Sequence, residues 1–107
     1  MYMLQFDDHS NGSKIELNTG EQFEIILLEN PTTGFRWNPI SRGEPSCKLL
    51  DNSFKSGGGS PGKGGSHSWQ FLAVKEGLGK IEFAYQRPWE QVKPPARSFT
   101  LSVHVRT

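Results

Sequence analysis

Phe99-Thr100-Leu101-Ser102-Val103-His104-Val105-Arg106 alternates apolar and polar side chains without a break. Successive side chains of an extended strand point to opposite faces, so this stretch makes one dry face and one wet face. The same period of two recurs toward the N-terminus. Ile81, Phe83 and Tyr85 alternate across Lys80–Arg87, Trp69, Phe71 and Ala73 across Ser66–Lys75, and Phe35 and Trp37 across Phe35–Ile40. Phe23, Ile25 and Leu27 alternate with Glu24, Ile26 and Leu28, which predicts a central strand over Glu21–Glu29. Shorter strands are expected near Tyr2–Phe6, Ser13–Leu17 and Cys47–Phe54. No window carries an apolar stripe at helical spacing for three turns.

Turn chemistry separates the runs: Asn11-Gly12, Thr19-Gly20, Gly43-Glu44-Pro45, Glu76-Gly77 and Pro94-Pro95. Seven or eight short strands so punctuated predict an all-β chain, an immunoglobulin-like β-sandwich with Trp37 as the buried tryptophan of its core. The 107 residues suit a single domain spanning residues 1–107. Only 34% of residues are hydrophobic but 11% are aromatic, so a few large rings must supply much of the apolar burial.

Composition also excludes classes of function. A net charge of +1 offers no general attraction to nucleic acid or anionic membranes, and no stretch is long enough to cross a bilayer. The expectation is therefore a monomer with neither nucleic-acid nor membrane partners. Cys47 is the single cysteine, so no internal disulfide can form, which points to a reducing compartment. Met1–Asp8 has no basic start and no long apolar run, predicting a cytoplasmic chain. Removal of a leader would place it instead in a lysosome, a phagosome or outside the cell, where the Asn11-Gly12-Ser13 sequon would acquire meaning. Cys47 lies in an expected strand without an activating motif, and His9, His67 and His104 lack ligand spacing. No catalytic residue, metal or cofactor is expected, and the chain reads as a non-enzyme.

Three interstrand segments stand out. In Asn30-Pro31-Thr32-Thr33-Gly34-Phe35, Pro31 fixes its own φ and Gly34 can adopt positive φ. The result is a stiff, tight connection, for which a plain hairpin is the simplest reading. Ser56–Ser66 contains Gly57, Gly58, Gly59, Gly62, Gly64 and Gly65, and exposes backbone with which another chain can pair. Its partial matches to dinucleotide and phosphate-loop motifs fail for want of a strand–turn–helix context and of a magnesium-binding hydroxyl at Gly64. Arg87-Pro88-Trp89 closes a strand with two residue types enriched at interface hot spots. In strand order these are the B–C, D–E and F–G connections, which share one end of an immunoglobulin-like sandwich.

At these residues the chain resembles the chagasin-type inhibitors of papain-like cysteine proteases. That family's pattern is Asn-Pro-Thr-Thr-Gly and an aromatic, then Gly-x-Gly-Gly, then Arg-Pro-Trp. Here it falls on Asn30, Pro31, Thr32, Thr33, Gly34 and Phe35, on Gly62, Lys63, Gly64 and Gly65, and on Arg87, Pro88 and Trp89. Order and spacing agree, and the resemblance runs from Ile15 to Val105. It implies a reversible, tight-binding inhibitor of papain-like proteases of the cathepsin L/B type, occluding the cleft with three loops. By that resemblance Thr32 and Thr33 sit over the catalytic cysteine and histidine. The glycine loop pairs on the non-primed side, and Trp89 packs on the primed side. The alternative is an immunoglobulin-like adhesion or scaffold module that uses the same loops without inhibiting anything.

Overall fold

A computed structural model describes residues 3–56, 64–90 and 94–107. Among them eight strands follow one another: β1 (Leu4–Phe6), β2 (Ser13–Asn18), β3 (Gln22–Glu29), β4 (Arg36–Arg42), β5 (Cys47–Ser56), β6 (Gly65–Ala73), β7 (Gly77–Gln86) and β8 (Arg97–Arg106). The described residues contain no α-helix, only single 3-10 turns at Asp8–Ser10, Pro31–Thr33 and Pro88–Glu90.

The strands form two four-stranded sheets, ordered β1-β3-β6-β5 and β2-β8-β7-β4. Period-two patterning sets the inward faces. Phe23, Ile25 and Leu27 of β3 meet Trp69, Phe71 and Ala73 of β6, while Ile81 and Phe83 of β7 and Phe99, Leu101, Val103 and Val105 of β8 close over them. Phe23 stacks on its sheet neighbour Phe71 at 5.1 Å, and Trp69 packs against Phe83 of the other sheet at 4.5 Å, bridging the layers. Trp37 is buried as expected, but Trp69 holds the deeper place in the core. The Trp37 ring lies 4.8 Å from that of Tyr85, and its Nε1–H donates to the Leu28 carbonyl at 2.8 Å, linking β4 to β3 across the sandwich.

The N-terminal segment straddles both layers. β1 pairs in parallel with β3, whereas β2 pairs in parallel with β8, with Ser13 opposite Leu101 and Asn18 opposite Arg106. Some boundaries differ from expectation. β7 begins at Gly77, where a turn was anticipated, and β4 continues to Arg42 past a register shift between Pro39 and Ser41. Ile40 is the extra residue at that shift, and it faces solvent on the side that alternation from Trp37 implies.

The candidate inhibitory edge

The connections after β3, β5 and β7 lie at one end of the sandwich, since Glu29 pairs with Gly65, Gly65 with Ser56, and Tyr85 with Arg97. Of these connections only the first passes between sheets. β3 and β4 belong to different layers, so the Asn30–Phe35 segment (loop 1) is a crossover, which corrects the plain-hairpin reading. The segments after β5 (loop 2) and β7 (loop 3) join antiparallel neighbours within a sheet.

Loop 1 is knotted by its own polar atoms. Asn30 Oδ1 accepts from the Thr32 N–H at 3.2 Å and from Thr32 Oγ1 at 2.6 Å. The Asn30 carbonyl accepts from Thr33 Oγ1 at 2.7 Å, and the Gly34 N–H closes the turn on the Pro31 carbonyl at 2.9 Å. This is N-cap chemistry applied to one 3-10 turn, with proline at its start and glycine at its end. Gly34 has φ +83°, a left-handed conformation that a side chain resists. The Asn30 N–H donates to Tyr85 Oη at 3.1 Å, anchoring the loop to β7.

Loop 3 leans on loop 1. Arg87 Nε–H donates to the Thr33 carbonyl at 3.2 Å, its guanidinium lies 4.5 Å from the Phe35 ring centroid, and its Nη1 meets Glu90 Oε1 at 3.2 Å. Phe35 in turn stacks on Tyr85 at 5.4 Å. Arg87 is thus mortar between two loops. Pro88 opens the short turn to Glu90, and Trp89 on it is 71% exposed. One edge of the indole rests on Gly34, where a Cβ would come within 2.7 Å of Trp89 Cη2.

Loop 2 enters this arrangement through Gly64. A Cβ there would stand 2.7 Å from the Glu29 carbonyl oxygen and 3.1 Å from Asn30 Cβ, so only glycine permits the approach. Gly65 is equally tight, its missing Cβ falling on the Lys55 carbonyl. Gly62 and Lys63 lie outside the described residues. A cleft of about 430 Å³ opens between Asn30, Gly64, Gly65, Tyr85 and Arg97.

Sequence reasoning passed over one group here. Glu29, the last residue of β3, is only 3% exposed. Its Oε2 accepts from the Trp37 N–H at 2.7 Å, and its Oε1 pairs with His67 Nδ1 at 2.9 Å. His67 Nε2 lies 2.9 Å from Asn52 Oδ1, and the imidazole stacks on Trp69 at 4.1 Å with 1° between the planes. Glutamate beside Asn-Pro reads as a solvated strand end, so only the phase of the alternation (Phe23, Ile25, Leu27, Glu29) could have exposed its inward direction. Cys47, by contrast, is as the sequence implies: buried at the far end of β5, with burial pushing its thiol up to about 11. That is the reverse of an activated nucleophile.

The described parts of the three loops thus brace one another at one end of a β-sandwich. Residues 16–103 match the chagasin family peptidase inhibitor I42, and the chain belongs to that family of cysteine protease inhibitors, which are not enzymes. It is 34% identical to amoebiasin-1 of Entamoeba histolytica over 110 residues, covering 96% of this chain and all of that one. Among solved structures it is similar to the cysteine protease inhibitor EhICP2 of Entamoeba histolytica, with TM-score 0.84, 26% identity, and 97% and 95% of the two chains covered. The fold is also that of PbICP-C, solved in complex with falcipain-2, with TM-score 0.63 at 17% identity over 99% of this chain and 91% of that one.

Proposed function

We propose that this chain is a reversible, tight-binding inhibitor of papain-like cysteine proteases, of the cathepsin L/B type, and that it fills the active-site cleft with loops 1, 2 and 3. The observation that carries the reading is the mutual bracing of the three segments at one end of the sandwich: Arg87 to Thr33, Trp89 to Gly34, and Gly64 to Glu29 and Asn30. A preformed edge loses little conformational entropy on docking. Loop 1 presents the tip Pro31–Thr33 as a 3-10 turn, so no extended segment offers a carbonyl for attack. Thr32 and Thr33 then cover the catalytic pair without reacting, the glycines pair by backbone on the non-primed side, and Trp89 packs on the primed side. Protease–inhibitor interfaces bury about 1,600 Å² and are among the tightest known, which leads to nanomolar affinity or better. PbICP-C, captured with falcipain-2, is a precedent on the same fold.

Titration of papain with the purified chain tests this directly. Stoichiometric loss of activity, recovered on dilution with the inhibitor intact, is the expected result. No effect on papain or on several cathepsin-like enzymes would sink it and favour an adhesion module.

A further inference from the structure

Loops 1 and 2 spring from four strand ends: β3 and β4 flank the first, β5 and β6 the second. One pair, buried Glu29 and half-buried His67, touches all four. Glu29 belongs to β3, and its carboxylate takes the Trp37 N–H of β4 and the His67 imidazole of β6. Through its other nitrogen His67 reaches Asn52 of β5. The imidazole cannot tilt, because it lies flat on Trp69, which packs into the core. Above the pair, Gly64 sits directly against the Glu29 carbonyl and Asn30.

Stability alone is a poor reason for such a pair. Withdrawing a carboxylate from water is costly, and apolar residues of similar volume replace buried ion pairs with little loss or some gain. What hydrogen bonds supply and apolar packing does not is direction. Each bond here fixes the distance between two loop stems. We infer that Glu29 and His67 are positioning residues for inhibition, setting the spacing of loops 1 and 2 so that both enter the protease cleft together. This rests on the proposed function and adds to it two residues outside the three motifs.

The test compares Glu29→Gln with the double variant Glu29→Met/His67→Phe, each checked for folding by circular dichroism and thermal melting. The double variant keeps volume and the ring on Trp69 but removes every directed bond. It is expected to stay folded but melt a few degrees below wild type, because the Trp37 N–H loses its acceptor, and to raise the inhibition constant for papain about tenfold, as a loosened loop pair must be ordered on binding. Glu29→Gln retains an acceptor for Trp37 and a partner for His67, and should restore inhibition to within about threefold of wild type. Asn52→Leu, on an exposed strand face, removes only the outermost bond and covers the case in which the double variant fails to fold; it should weaken inhibition measurably without lowering the melting temperature. A folded double variant, or in its absence Asn52→Leu, that inhibits as wild type does overturns the positioning role while leaving the inhibitor reading intact. A wild-type chain that inhibits no papain-like enzyme removes both.

Discussion

Trp89 and Gly34 act as a pair. The indole is mostly in water, yet one edge is seated on a residue that must be glycine both for φ +83° and for space. Truncating Trp89 to alanine should cost about 2 kcal/mol of binding, a roughly thirtyfold rise in the inhibition constant, carried mainly by faster dissociation. Thr32→Ala should cost less, since the proline–glycine turn survives it. Gly34→Ala should reproduce much of the Trp89→Ala effect by displacing the indole, and stopped-flow dissociation rates would reveal a mismatch. Cys47 makes a separate prediction. Its thiol is raised from 9.0 to about 11, so above pH 9 the unfolded chain loses the proton first and stability drains away as pH climbs toward 11. The stability gap between wild type and Cys47→Ala, followed by urea denaturation, should therefore narrow over that range by about 2–3 kcal/mol. Inhibition by folded Cys47→Ser should match wild type. Proline, glycine and tryptophan announce their roles in the sequence because their backbone or surface demands are local. Glu29 and His67 do not, because their pairing joins positions on different strands, and nothing near either residue encodes the other.

Loop 1 is the element on which the proposed inhibition depends, and its shape decides the chemistry. A 3-10 turn closed by Asn30, Pro31 and Gly34 does not lie along a cleft as an extended substrate does. Mass spectrometry after prolonged incubation with active papain should accordingly find the chain whole and no acyl-enzyme. Cleavage between Asn30 and Phe35 that tracks recovery of protease activity would mean a substrate-like inhibitor. Strands with strict alternation were legible from sequence: β3 falls within the expected Glu21–Glu29 and β8 contains Phe99–Arg106, with their inward faces as anticipated. The β4 irregularity was not, since an extra residue at Ile40 changes the pairing with β7 while burial goes on alternating along the strand. The crossover of loop 1 was legible only through its place as the B–C connection, because a tight turn by itself looks the same whether it returns within a sheet or passes to the other.

The whole molecule holds together without a disulfide, on a core of stacked rings. Single domains are stable by roughly 5–15 kcal/mol, and a buried Phe→Ala change removes about 3–5. Phe71→Ala, at a ring stacked on Phe23 and facing Phe83, should therefore lose a large share of the stability in a urea titration. A loss under 1 kcal/mol would mean that the core is far more tolerant than its packing implies.

The parallel pairing of β2 with β8 has a consequence in time. Ser13 must wait for Leu101, and Asn18 for Arg106, so the second sheet cannot acquire its outer strand until β8 leaves the ribosome. High-contact-order β topologies fold in roughly milliseconds to seconds, set by the search for such distant partners. A nascent chain halted before β8 would hold β2 and β7 without the strand that lies between them. The edge that loops 1, 2 and 3 share, with loop 3 ending on β8, thus comes into being only after β8 has been made.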